Sequence, residues 1–129
     1  MENRNQTKAK ILVIDDEGDL SELVKIALRQ DYIVEVVFDG REALLKLDDF
    51  RPDLIITDIY LPLIGGVDLL DEIRKVSATP IIIVSDGRLR RKMSYFQSKG
   101  ISAVIMKPFS LKELKAEIQS ALASYAKFI

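Results

Sequence analysis

The chain has 129 residues, of which 48% are apolar, with 19 Lys and Arg against 20 Asp and Glu for a net charge of −1. That length suits one domain with a sizeable core, the apolar share excludes a disordered tail, and the balanced charge argues against nucleic acid as a partner for the surface as a whole. With no Cys and no His, disulfides, thiolate and imidazole metal sites, cysteine nucleophiles, Ser-His-Asp hydrolysis and an internal phosphohistidine are all excluded, and a reducing compartment fits.

Met1 to Ala9 is polar and lacks the apolar run of a signal peptide, so a flexible segment is expected over residues 1–9 and a folded domain over 10–129. No run of 18 apolar residues occurs, which predicts a soluble, cytoplasmic protein with no membrane partner. Short apolar runs then alternate with segments of helical period. Strands are predicted at Lys10–Ile14, Ile33–Phe38, Leu54–Thr57, Ile81–Val84 and Ala103–Met106. Leu54-Ile55-Ile56 and Ile81-Ile82-Ile83-Val84 are continuously apolar, the pattern of strands covered by helices on both faces of a parallel sheet.

The first helix carries Leu20, Leu23, Val24, Ala27 and Leu28 on one stripe. The second follows Asp39, whose side chain stands three residues before Glu42 as a capping oxygen; it carries Ala43, Leu44 and Leu47 and closes before Pro52. Leu69, Leu70, Ile73 and Val76 mark a third. Leu89, Met93 and Phe96 mark a fourth, ended by Gly100. The fifth opens on the capping box Ser110-Leu111-Lys112-Glu113 and carries Leu111, Leu114, Ile118, Leu122 and Tyr125. Such (βα)5 alternation predicts an α/β fold with an open parallel sheet, and ligands in these sheets bind at the carboxyl ends of the strands.

At those ends stand Asp15-Asp16-Glu17 after the first strand, Asp58 after the third, Ser85 after the fourth, and Lys107-Pro108 after the fifth. Taken singly, Asp15 or Asp16 reads as a helix cap, Asp58 as a turn former, and Lys107 as a solvated loop residue. Independent capping requires neither the lysine nor the shared edge, so the set points to a site.

In this ordered set the chain resembles the response-regulator receiver domains of two-component signalling, over essentially Lys10 to Ile129. The matching residues are ILVIDD ending in Asp15-Asp16, PDLIITD ending in Asp58, Pro62 and Gly66 beyond it, IIIVS ending in Ser85, and Lys107-Pro108-Phe109. The resemblance implies a flavodoxin-like three-layer sandwich with strand order 2-1-3-4-5, in which strands one and three are neighbours and Asp15, Asp16 and Asp58 converge. Two carboxylates about 4 Å apart repel by about 4 kcal/mol at an effective dielectric of 20. Three cannot remain ionised together without a cation or a strongly raised pKa; Lys107 would supply one positive charge, and a hard, oxygen-preferring ion, with Mg2+ the natural candidate, would supply two. The resemblance further implies that Asp58 is the phosphoacceptor, that Ser85 and Lys107 contact the phosphoryl oxygens, and that Asp15 (through water), Asp16, Asp58 and the backbone carbonyl of Tyr60 hold Mg2+.

With no His in the chain, the phosphoryl donor would be a sensor histidine kinase, a phosphotransfer protein or a small acyl phosphate. The implied output is a changed surface on the fourth helix, fifth strand and fifth helix, read by an effector protein, by an attached output domain, or by a second copy in a phosphorylation-dependent homodimer. The chain ends soon after the fifth helix, so it is expected either to act alone on a partner or to be a piece of a larger regulator. It would promote its own phosphorylation and dephosphorylation without being a turnover enzyme.

Some positions depart from the family pattern. Val104 stands where an aromatic switch residue is common, and Asp86 adds a carboxylate after Ser85, where a small residue is common. Tyr60, two past Asp58, is bulky enough to shield a phosphoryl group from water. The basic run Arg88-Leu89-Arg90-Arg91-Lys92 reads first as a solvated helix face and second as a docking patch for an acidic partner. A flavin module would need a phosphate loop where Asp15-Asp16-Glu17 stands, and a dehalogenase-type phosphohydrolase would need an acid at Tyr60. The remaining rival is an unphosphorylated pseudo-receiver that serves only as a protein-binding platform.

Overall fold

The structure, a computed structural model, describes residues 8–15, 18–58, 66–87 and 93–126. Five strands, β1 (Lys10–Ile14), β2 (Ile33–Val37), β3 (Leu54–Asp58), β4 (Ile81–Ser85) and β5 (Ala103–Met106), alternate with five helices, α1 (Asp19–Leu28), α2 (Gly40–Asp49), α3 (Gly66–Val76), α4 (Met93–Ser98) and α5 (Leu111–Ala126). All strand pairs are parallel, in the order β2-β1-β3-β4-β5. This is the expected doubly wound arrangement. Of the polar segment expected at residues 1–9 only Lys8 and Ala9 are described, and Asp16, Glu17, Tyr60, Pro62 and the basic run 88–92 lie outside the described residues.

Alternation along each strand sorts the core into two layers. Leu12, Ile14, Ile55, Ile81 and Ile83 pack with Ala43 of α2, Leu69, Leu70 and Ile73 of α3, and Phe96 of α4. Ile11, Val13, Leu54, Ile56, Ile82, Val84 and Ile105 pack with Val24 and Leu28 of α1 and Leu114, Ile118 and Ala121 of α5. Both faces of β1, β3 and β4 are thus dry, which is why these runs are apolar without alternation. Edge strand β2 is only partly buried.

Both anticipated capping signals are formed. Asp39 Oδ1 accepts from Glu42 N at 2.8 Å while Glu42 Oε1 accepts from Phe38 N at 3.1 Å, the reciprocal capping box. Ser110 Oγ accepts from Glu113 N at 3.0 Å. The second helix stops as expected just before Pro52, through Arg51 at φ +55, a left-handed residue whose N–H reaches back to Lys46 O. Two assignments to helix stripes are corrected. Val76, the last residue of α3, is 72% exposed, where the helix ends and no next turn covers it; Met93, the first described residue of α4, is also exposed. Phe96 alone anchors α4 in the core, while Tyr95 stays half-buried.

Candidate functional site

The strand register builds the site. Ile14 pairs with Thr57, so Asp15 and Asp58 are the next residues on adjacent strands and both stand at the carboxyl edge. Asp58 still belongs to β3, opposite Val84, and Ser85 still belongs to β4, opposite Met106. β3 runs two residues, Thr57 and Asp58, past its apolar stretch, and β4 runs one, Ser85. The parallel ladder carries the polar side chain to the rim and holds its backbone rigid there.

All three polar residues at the rim are buried, Asp15 to 2%, Ser85 to 3% and Asp58 to 6% exposure. Burying an ionised carboxylate is costly unless it is paired and hydrogen-bonded. Lys107 Nζ donates to Asp58 Oδ2 at 3.0 Å. β5 is separated from β3 by β4, about 10 Å of sheet at the usual strand spacing, a gap that the lysine and aspartate side chains span together through their hydrogen bond. Lys107 N also donates to Ser85 O at 2.8 Å, so the lysine backbone is tied to the neighbouring strand before its side chain reaches over.

Asp15 takes the capping role that its position suggested. Its Oδ2 accepts from Ser21 N at 3.0 Å, satisfying an otherwise orphan donor in the first turn of α1. Gly18, at φ +89, supplies the cap position without a side chain, and Ser21 Oγ closes the turn on Gly18 O at 2.9 Å. The cap fixes the carboxylate at the rim of the sheet rather than removing it from the site. Ser85 Oγ accepts from Gly87 N at 3.1 Å, an ST-turn that closes on the strand end. Asp86 is exposed, so its charge is turned toward solvent.

Asp15 and Asp58 are hard oxygen donors on adjacent strands, and their chemistry fits a hexacoordinate, carboxylate-preferring ion such as Mg2+. Among the described residues no group of three or more acidic side chains is assembled, and the remaining members of the expected set, Asp16 and the Tyr60 carbonyl, lie outside those residues. Among the described residues, no helix is long and apolar enough to cross a membrane.

A family model described as "Response regulator receiver domain" matches residues 11–119 of this sequence. The chain belongs to the response regulator receiver domain family. It is 34% identical over 116 residues to the DNA-binding response regulator MtrA of Mycolicibacterium paratuberculosis, covering 89% of this chain and 52% of that protein. A probable transcriptional regulator, ycf27 of Guillardia theta, is 35% identical over 119 residues, which are 91% of this chain and 46% of that one. The chain therefore spans about half the length of these curated relatives. Among solved structures, the chemotaxis protein CheY4 of Vibrio cholerae superposes with a TM-score of 0.83 at 30% identity, over 89% of this chain and 99% of that one. A CheY-like receiver domain protein of Methanospirillum hungatei reaches a TM-score of 0.89 at 26% identity, over 95% and 100%.

The receiver domain also contains a network that no sequence pattern announced. Asp71 of α3 accepts from Tyr95 Oη at 2.8 Å and pairs with Lys99 Nζ at 2.7 Å, and Lys99 lies over the Tyr95 ring at 5.5 Å. The Lys99 hydrogen bond, then the one from Tyr95, holds the Asp71 carboxyl below its ordinary range. One turn on, Arg74 donates to the carbonyls of Lys99, Ser77 and Thr79 at 2.7, 3.1 and 2.8 Å. The carboxyl-terminal end of α4 is thereby clasped to α3.

Proposed function

We propose that this receiver domain is an Mg2+-dependent phosphoacceptor. Asp58 takes a phosphoryl group from a phosphohistidine on a sensor histidine kinase or phosphotransfer protein, or from a small acyl phosphate. The modified domain then offers a changed α4–β5–α5 surface to an effector, an attached output domain or a second copy, in the cytoplasm. The observation that carries the reading is the ion pair joining Lys107 Nζ to the buried Asp58 carboxylate across an intervening strand, at 3.0 Å.

In the transfer, an Asp58 carboxylate oxygen bonds to phosphorus as the bond from phosphorus to the donor imidazole nitrogen breaks. The electron pair stays on that nitrogen. Acceptor and donor are both anionic, so positioning and charge neutralisation dominate the barrier. The Lys107 ammonium, already in contact with the acceptor, offsets the charge on the incoming phosphoryl oxygens. Ser85, one strand over, brings a hydroxyl donor to the same rim. Asp15 is held in place by Ser21 N and, with Asp16, Asp58 and the Tyr60 carbonyl, would hold the ion. Bound there, Mg2+ supplies positive charge shared by the acceptor carboxylate and the phosphoryl group. The product is a mixed anhydride that water can cleave, so the domain promotes both its own loading and its own reset, without turning over an external substrate.

Val104, standing where an aromatic switch residue is common, supports the rival reading, a platform that binds partners without phosphorylation. Incubation with Mg2+ and acetyl phosphate followed by intact-mass measurement separates the two. The wild type is expected to gain one phosphoryl group and Asp58→Asn none. Failure of the wild type to gain one from either acetyl phosphate or a cognate kinase favours the platform.

A further inference from the structure

The described turn that follows β4, Asp86–Gly87, is tied through Ser85 to the end of β5. Gly87 N donates to Ser85 Oγ, Lys107 N donates to Ser85 O, and Ser85 and Met106 face each other in the β4–β5 register. Gly87 sits at φ +94, and a Cβ on it would stand 2.9 Å from Met106 Cε. The thioether end of Met106 therefore occupies the space that the missing side chain leaves open. Met106 is also 37% exposed, so the same side chain reaches the Gly87 position and the surface. Val104, two residues earlier on the same face of β5, packs into the core layer of α2, α3 and α4. It is β-branched and stiff at χ1. Met106, unbranched with three rotatable bonds, is the adaptable one.

We infer that Met106 transmits the state of the Ser85–Gly87 turn to the exposed end of β5, in place of a swinging aromatic at position 104. This inference rests on Asp58 being the phosphoacceptor. Ser85 Oγ now serves as acceptor for Gly87 N, and its single proton remains to be donated. A phosphoryl group on Asp58 presents charged oxygens that draw that hydroxyl into a short, charge-assisted hydrogen bond. The turn closed by Gly87 is built on the Ser85 hydroxyl, so it shifts with it. The space beside Gly87 changes shape, and Met106 Cε repacks and alters the surface that β5 presents. A Cβ at position 87 would stand 2.9 Å from Met106 Cε, so the thioether end would have to move aside.

The chain contains three methionines, Met1, Met93 and Met106, so methionine methyl labelling yields a spectrum in which Met106→Leu assigns the relevant signal. Beryllofluoride with Mg2+ serves as the phosphoryl mimic. The Met106 methyl signal is expected to move on its addition, in step with the Ser85 and Lys107 amide signals. Gly87→Ala is expected to move the same methyl signal with no mimic present, because the new Cβ displaces Cε. Ser85 and Lys107 amides that respond while the Met106 methyl keeps its position would overturn the inference and leave the phosphoacceptor reading standing. A spectrum in which nothing responds to the mimic would overturn both.

Discussion

Replacing Asp15 by Asn removes one negative charge from the carboxyl edge of the sheet and retains an amide oxygen able to accept from Ser21 N, as Asp15 Oδ2 does at 3.0 Å. Asp15 and Asp58 follow the paired residues Ile14 and Thr57, which puts their backbones about 5 Å apart. For carboxylates about 6 Å apart at an effective dielectric of 20, the repulsion is about 3 kcal/mol. Lys107 offsets part of it through Asp58, and its own side chain is 38% exposed, so solvent screens that compensation. Asp15→Asn should therefore raise stability by about 1–2 kcal/mol in chelator-treated buffer, a rise in Tm of about 4–8 °C for a domain of this size. Millimolar Mg2+ should reverse the ranking. An ion that binds only the folded state stabilises it by mass action, and the variant has lost an acid that holds the ion. Urea or thermal unfolding with chelator and with Mg2+ makes the comparison. An Asp15→Asn protein that is less stable than wild type without metal, or that gains as much from Mg2+ as wild type does, would refute the reasoning.

Further expectations follow from the packing and the caps. Asp39→Ala opens the capping box of α2 and should cost about 1 kcal/mol, read as a lower urea midpoint with unchanged slope. Phe96→Ala removes the one fully buried side chain among the described residues of α4 and should cost about 3–5 kcal/mol, with lost exchange protection in α4 before the rest of the domain. The Lys99 hydrogen bond, chiefly, holds the Asp71 carboxyl below the ordinary carboxylate range in the folded state. Its stabilising contribution is thus present above the unfolded pKa and disappears as pH falls through the lower folded value. Wild type should exceed Asp71→Asn in stability near neutrality, and the two should converge at the acid end. A constant difference across that range would contradict the assignment.

Much of the fold was legible because each signal was local and redundant. Ile81 to Val84 could be placed in a two-sided parallel sheet from four consecutive apolar residues, and Asp39 and Ser110 announced the starts of α2 and α5 through residues three positions away. Strand ends were less legible. Phe38 was expected to continue β2, but its N–H is taken by Glu42 Oε1, and the capping box withdraws it from the ladder. Asp58 and Ser85 were expected just beyond their strands; they remain inside because Val84 and Met106 continue the pairing opposite them. Polarity alone does not end a strand whose neighbour goes on.

The site residues were legible as a set rather than singly. Asp15 illustrates why, since one carboxylate both caps α1 and lines the rim, and a capping explanation taken alone would have discarded it. The partners of the site residues were not legible. Nothing in the spacing joins Asp15 to Ser21 N, or Ser85 to Gly87 N, until the chain turns are known. The clasp of Asp71, Arg74, Tyr95 and Lys99 was also hidden, because it joins separate helices through contacts with no periodicity. Half of it uses backbone carbonyls, which every residue type supplies.

The account turns on where a transferred phosphoryl group comes to rest. After loading with acetyl phosphate and Mg2+, borohydride reduction converts an aspartyl phosphate to homoserine, which peptide mass mapping locates. The account predicts homoserine at position 58 and at no other acid, with the yield collapsing in Lys107→Ala. Homoserine at Asp15 or Asp86 with Asp58 intact would contradict it.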